Sequence, residues 1–254
     1  MQLLTVKSLS KQFGGIRAIE DVSFGVKAGD ILSIIGPNGA GKTTLFNCLT
    51  GFMRPTRGSI LLTDRELSAL PPDSIGRLGI ARTFQNIRLF REMTVLENIL
   101  VAQHARIRYG VVSAVLRSTA YKDEEKSLRE KAVEYLELLG LEALAAKPSG
   151  SLAYGAQRKI EIARALATGA GLILLDEPTA GMNPLETDEM MALISNLRVM
   201  GKTVLLIEHD MKVVMGISDR IVVLDHGVKI AEGSPPEIRS DPLVIEAYLG
   251  RETH

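Results

Sequence analysis

Short apolar runs recur along this chain, and most have the length of strands. Residues 3–8 and 22–26 alternate apolar and polar positions, the pattern of edge or antiparallel strands. Residues 30–35, 80–84, 172–175, 204–207 and 221–224 are mostly apolar, which predicts strands covered on both faces. Residues 59–62 add a further candidate strand, and His226-Gly227 fits a tight turn before 228–231. Helices alternate with several of these runs, so the pattern predicts an α/β sheet with parallel strands.

The middle of the chain differs. From residue 94 to 144 there is no strand pattern. Leu128, Ala132, Val133, Leu136 and Leu139 repeat at helical spacing among Glu and Lys, and Gly140 supplies a stop. This is the pattern of a packing stripe with a solvated opposite face. Residues 106–121 fit either a loop or short helices. Asn183-Pro184-Leu185-Glu186 predicts another helix start: Asn183 as cap, Pro184 in the first turn and Glu186 reaching back to the cap.

Composition narrows the class. The chain has 254 residues, enough for one large domain or two closely joined lobes, and 46% are hydrophobic, as in a globular protein. Lys plus Arg equals Asp plus Glu at 30 each, which argues against non-specific nucleic-acid binding. One cysteine, Cys48, excludes an internal disulfide and reads as a small core residue. No apolar run approaches the roughly 20 residues that cross a bilayer. Residues 1–7 alternate like a strand and lack a signal peptide's apolar core. The expectation is a soluble, cytoplasmic chain whose membrane role, if any, runs through a partner.

Two motifs carry chemistry. Gly36-Pro37-Asn38-Gly39-Ala40-Gly41-Lys42-Thr43-Thr44 meets the phosphate-cradle spacing through Gly36, Gly41, Lys42 and Thr43. The glycines let successive N–H groups turn towards one anion. Lys42 brings charge to β/γ-phosphates, Thr43 a hydroxyl for Mg²⁺, and Thr44 a further phosphate contact. An apolar strand precedes the loop and a helix over 42–50 follows, so the positive helix end faces the phosphates. The second motif is Leu172-Ile173-Leu174-Leu175-Asp176-Glu177-Pro178, an apolar strand with two carboxylates at its carboxyl end. Asp176 is placed to hold Mg²⁺ through water, and Glu177 to polarise the water that attacks a γ-phosphate. By itself the pair could equally be a solvated acidic turn. Its partnership with the glycine loop favours catalysis.

The third motif makes the reading specific. Ser151-Leu152-Ala153-Tyr154-Gly155-Ala156-Gln157-Arg158, with residues 159–166 after it, resembles the signature motif and following helix of ATP-binding-cassette (ABC) ATPases. The order of loop, signature and Asp-Glu strand is also that family's. The usual Leu-Ser-Gly-Gly-Gln is altered: Ala153 stands for Ser, Tyr154 for Gly and Ala156 for Gln. Ala153 removes a hydroxyl, whereas backbone N–H groups near Gly155 still offer a helix N-terminus to a γ-phosphate bound in an opposite subunit. The resemblance also assigns Phe13 to adenine stacking, Gln85 to the Mg²⁺ or water contact, and His209 to the γ-phosphate switch. Residues 179–183 match the D-loop, with Asn183 where Asp is commoner.

The resemblance spans nearly the whole chain. It implies an α/β P-loop NTPase fold of the ABC ATPase type, with an antiparallel β subdomain and an inserted α-helical subdomain. Residues 1–254 would form one nucleotide-binding domain, with a helical subdomain over 94–168 that includes the signature, and a C-terminal helical tail over 232–254. Residues 82–90, 93–104, 207–219 and 246–250 are similar to ATPase subunits of high-affinity branched-chain amino-acid importers. That likeness implies ATP and Mg²⁺, catalytic roles for Glu177, His209 and Gln85, and metal contacts from Thr43, Gln85 and Asp176. It implies a second, paralogous ATPase subunit, two membrane permeases and, indirectly, a periplasmic or extracellular amino-acid-binding protein, with no nucleic acid. The chain would sit peripherally on the cytoplasmic face of the inner (plasma) membrane. Alternatives are a cassette for another cargo, such as lipopolysaccharide, or a soluble cassette ATPase of DNA repair or translation. The latter often carry two cassettes or a long coiled coil, neither of which is seen. A P-loop kinase or GTPase is more distant, since no Asn-Lys-x-Asp guanine reader is present.

Overall fold

The five buried apolar runs lie side by side in one sheet. The computed structural model of the chain describes residues 1–107, 109–116 and 118–249. In chain order these form β1 (Gln2–Phe13), β2 (Ile16–Lys27), β3 (Ile31–Ile35), α1 (Lys42–Leu49), β4 (Arg57–Leu62), β5 (Arg65–Glu66), α2 (Pro72–Arg77) and β6 (Ile80–Arg82). Helices α3 (Val95–Ala102), α4 (Val111–Val115), α5 (Thr119–Leu138) and α6 (Tyr154–Ala167) follow. Then come β7 (Leu172–Asp176), α7 (Pro184–Val199), β8 (Thr203–Ile207), α8 (Met211–Ile217), β9 (Arg220–Asp225), β10 (Val228–Gly233), α9 (Pro235–Ser240) and α10 (Pro242–Leu249). Residues 250–254, the end of the expected C-terminal tail, lie outside the described residues.

Two compact units result, one of Met1–Arg82 with Gly171–His254, the other of Thr83–Ala170. The first holds both sheets. Six strands run in the order β10-β9-β3-β8-β7-β6, and all neighbours are parallel except β10 on β9. Every residue of β3, β7 and β8 is buried, in keeping with their predominantly apolar sequences. A second, antiparallel sheet has the order β2-β1-β4-β5. Helix α1 joins the two: Phe46 and Leu49 share one core with Leu4, Val6, Phe24 and Ile60 of the antiparallel sheet and with Ile34, Leu174 and Leu205 of the parallel one. Cys48 belongs to that core, where burial pushes its thiol up to about 11, so it is an inert filler at neutral pH.

Strands β1 and β2 are longer than residues 3–8 and 22–26. Their pairing shifts register between Val6 and Leu9 and again around Lys11, with Ser8 and Asp21 at positive φ. Each bulge inverts the inward face, which breaks the strict alternation that marks a strand in sequence.

The second unit is helical among its described residues. In α5 the buried positions are Ala132 and Leu136, continued by Leu139, while Val133 is 38% exposed and falls off the stripe. Gly140 ends the run at φ 63. Residues 106–121 contain a short helix, α4, rather than a loop alone. Helix α3 begins with a capping box in which Thr94 and Glu97 exchange hydrogen bonds, and it packs against α5 and α6. Among the described residues no helix is long and apolar enough to cross a membrane.

Candidate functional site

The glycine loop leaves β3 at the carboxyl edge of the parallel sheet and delivers the chain into α1. Gly36 has φ 147, and a Cβ there would stand 2.0 Å from the carbonyl oxygen of Leu224. Gly41 has φ 99, and its Cβ would stand 2.4 Å from the carbonyl oxygen of Ala18. Both ends of the loop are thus pinned against neighbouring backbone in a way that only glycine allows. Between them the Ala40 N–H donates to the Pro37 carbonyl at 3.1 Å. Lys42 is 8% exposed and spans the loop, donating from Nζ to the carbonyls of Gly36 at 2.6 Å and Pro37 at 2.9 Å. Helix α1 starts on Gly41 with no side-chain cap and no acid in its first turn, which keeps its positive end for an outside anion. Thr43 is exposed on that turn and Thr44 half-buried. Phe13, at the end of β1, is 44% exposed, and Lys11 Nζ lies 5.0 Å from its ring centre.

Asp176 ends β7 at the same sheet edge. Asp176 is in register with Ile207 of β8, and Ile207 with Ile34 of β3, so one strand separates the acid from the root of the loop. The carboxylate is buried and ion-paired: Arg82 Nη2 stands 2.8 Å from Asp176 Oδ2. The same guanidinium donates to Asn47 Oδ1 at 2.7 Å and Thr50 Oγ1 at 3.2 Å, both on the α1 segment. Arg82 therefore ties the loop's helix to the acid, a role the sequence did not disclose. The signal lay in a cation inside an apolar run, since such a charge must be paired once buried. Arg82→Met removes one partner of a buried pair, and unfolding in urea is expected to show a loss of about 3–5 kcal/mol.

Glu177 follows in the left-handed region at φ 49, which is uncommon for a residue with a Cβ. Its N–H donates to the Ile207 carbonyl at 2.9 Å, and its Oε1 stands 3.8 Å from His209 Nδ1. Between β8 and His209 sits Glu208, wholly buried. Its carboxylate accepts from the N–H and hydroxyl of Thr179, at 3.0 and 2.5 Å, and from the His209 N–H at 3.1 Å. The capping box expected at α7 is present: Glu186 N–H donates to Asn183 Oδ1, and Asn183 N–H to Glu186 Oε2, each at 3.0 Å.

The first unit holds Phe13, residues 36–44, Asp176, Glu177 and His209. Gln85, Ala153, Tyr154 and Gly155 belong to the second unit, where Arg158 joins the segment around Gln85 to α6. Arg158 is 2% exposed and donates to the carbonyl of Phe84 at 2.5 Å, to that of Gln85, and to the Tyr154 hydroxyl at 2.7 Å. Glu161 accepts from the Arg88 N–H at 2.9 Å and pairs with Arg158 at 3.0 Å. Burial pushes the Glu161 carboxyl above its ordinary range, against the pull of those two donors. Ala153 is the N-cap of α6 and offers no capping oxygen, so the first N–H groups of that helix are uncapped by a side chain. Gln157, one position beyond Ala156, folds back to donate to the Leu152 carbonyl at 2.7 Å.

Comparison with known proteins shows the family. Residues 19–180 match the family model described as ABC transporter, and residues 228–254 that described as branched-chain amino acid ATP-binding cassette transporter. The chain is 51% identical to the high-affinity branched-chain amino acid transport ATP-binding protein LivG of Salmonella typhimurium, covering 98% of each chain. It is 49% identical to the corresponding BraF protein of Pseudomonas aeruginosa, again over 98% of each. Among solved structures it is similar to an ATP-binding cassette of an ABC transporter in its ADP conformation, with TM-score 0.86 and 35% identity over 99% of this chain and 100% of that one. It is also similar to a dimeric bacterial ABC transporter cassette, with TM-score 0.77 and 28% identity over 92% and 99%.

Proposed function

We propose that this chain, which belongs to the ABC transporter family of ATP-binding cassettes, is the ATP-hydrolysing subunit that powers import of branched-chain amino acids through partner permeases. The observation that carries the ATPase reading is the glycine loop and the Asp176-Glu177 pair at one sheet edge, a single strand apart. The cargo reading is supported by the near-full-length likeness to LivG and BraF and by the match over residues 228–254.

ATP is the substrate. Its phosphates enter the loop of Gly36, Pro37, Asn38, Gly39, Ala40 and Gly41, where N–H groups and the α1 end receive them. Lys42 exchanges its two loop carbonyls for β/γ-phosphate oxygens, with Thr43 and Thr44 at the helix start. Phe13 stacks on adenine. The Thr43 hydroxyl, the Asp176 carboxylate and the Gln85 amide are hard oxygen donors of the kind Mg²⁺ prefers, and the ion, when bound, neutralises phosphate charge. Glu177 takes the proton of the attacking water, and His209 contacts the γ-phosphate. A second ATPase subunit, which we take to be a paralogue, presents its own signature segment, as Ala153, Tyr154 and Gly155 do for the partner. Closure of that dimer does work on the permeases only because ATP binds the closed form more tightly than the open one. The assembly places this chain on the cytoplasmic face of the membrane, with an amino-acid-binding protein on the far side.

The test is co-purification with the membrane subunits, followed by ATPase assay in lipid with and without amino-acid-loaded binding protein. Loaded binding protein is expected to stimulate hydrolysis several-fold. Equal stimulation by binding proteins for unrelated cargo would remove the branched-chain assignment. Phe13→Ala is expected to weaken ATP binding by about 1–3 kcal/mol, some 5- to 150-fold, with Phe13→Tyr close to wild type in calorimetry.

A further inference from the structure

We infer that Glu208 is a positioning residue for hydrolysis: one buried carboxylate locks the Thr179 segment to the His209 segment, and so holds Glu177 and His209 as a single unit. The inference rests on the hydrolytic roles proposed above for those two residues.

An ionised carboxylate is costly to bury unless its lone pairs are filled. Glu208 is 0% exposed, and donors from two separate segments converge on it. Oε1 receives the Thr179 N–H at 3.0 Å and the Thr179 hydroxyl at 2.5 Å. Oε2 receives the His209 N–H at 3.1 Å and, more weakly, the Asp210 N–H at 3.5 Å. Each oxygen therefore serves one segment, and charge-assisted bonds of this kind are about twice as strong as neutral ones. Thr179 lies two residues after Glu177, and the Glu177 N–H is itself bonded to Ile207, the residue before Glu208. The left-handed backbone of Glu177 is unfavourable for a residue with a Cβ and persists only if its surroundings over-determine it. The Ile207 bond holds one side of that residue, and the Glu208 clamp holds the other through Thr179. The His209 ring is largely exposed, with Nδ1 3.8 Å from Glu177 Oε1 and 4.0 Å from Glu208 Oε2, so its place follows from its backbone and from the same two carboxylates. That backbone is what Oε2 grips.

Glutamine cannot replace this arrangement. Its amide offers one accepting oxygen and one NH₂, and the NH₂ would face the N–H groups of either Thr179 or His209. One of the two segments is then released whichever way the amide turns.

The experiment uses the full chain and two readouts. In hydrogen exchange without nucleotide, Glu208→Gln is expected to speed exchange at least tenfold in peptides covering 176–183 and 207–212 together, with β1–β2 peptides unchanged. Thr179→Val, which removes only the hydroxyl, is expected to shift the same two peptides less, and Thr179→Ser to match wild type. In steady-state ATPase assays Glu208→Gln is expected to lower kcat at least tenfold with KM within threefold. Adding it to His209→Ala is expected to cost clearly less than the product of the two single losses, because it acts in part through that residue and in part through the Thr179 segment beside Glu177. Unchanged exchange in either peptide, kcat within twofold of wild type, or a multiplied loss in the double variant overturns the inference. If Glu208→Gln does not fold, Thr179→Val and Thr179→Ser carry both readouts. A wild-type chain without ATPase activity would remove the hydrolytic reading alone, since exchange still decides whether the clamp exists.

Discussion

Glu177→Gln is expected to bind MgATP with wild-type affinity yet hydrolyse it about 10²- to 10⁴-fold more slowly, the usual worth of a positioned general base. The substitution is close to isosteric. It keeps the backbone bond from residue 177 to the Ile207 carbonyl, and the glycine loop and Lys42 are untouched. What it removes is a carboxylate able to take a proton from water. Because binding survives while turnover stops, the nucleotide-bound pair of ATPase subunits should accumulate. Size-exclusion chromatography after incubation with ATP should show an enlarged species that wild type forms only transiently. Normal turnover in this variant would transfer the base to another group. A titratable neighbour, His209, stands 3.8 Å away, so His209→Ala with and without Glu177→Gln separates the two.

Much of this site could be read from the chain because its parts are local in sequence. The loop from Gly36 to Thr44 and the strand ending in Asp176 and Glu177 each declare themselves within ten residues. The five buried strands were legible for the same reason: a strand covered on both faces has no polar alternation to disguise it. Asn183 and Glu186 could be paired because a capping box has a fixed spacing. The hidden features are long-range or irregular. Arg82 meets Asp176 across 94 residues of chain, and Glu208 meets Thr179 across 29, distances over which no periodicity operates. In both cases the visible trace was a charge within or directly after an apolar run, which predicts a buried partner without naming it. The full lengths of β1 and β2 were hidden by bulges, and Val133 was misplaced because a stripe read at spacing three and four admits neighbours that the helix turns outward.

Gly36→Ala is expected to be the most damaging single-atom-scale change in the loop, and Gly39→Ala the control that shows why. Both residues have positive φ, at 147 and 82, so both variants carry backbone strain of about 1–3 kcal/mol. They differ in what the added methyl meets. At Gly39 nothing lies within 4 Å, whereas at Gly36 the methyl would fall 2.0 Å from the Leu224 carbonyl oxygen, backbone of the neighbouring strand β9. Strand β9 pairs with β3, with Val223 in register with Ile35, is flanked by β10 on its other side, and has residues 221–224 fully buried, so it cannot yield by that distance. The loop must move instead. Overpacking of this kind adds about 1–3 kcal/mol, for a total loss near 2–6 kcal/mol at Gly36 against about 1–3 kcal/mol at Gly39 in urea unfolding without nucleotide. Moving the loop also turns its first N–H away from the cradle and shifts the carbonyl that holds Lys42. ATP affinity by calorimetry should therefore fall at least tenfold more in Gly36→Ala than in Gly39→Ala. If the two variants lose stability equally, φ alone governs the loop and the contact with Leu224 has no energetic weight.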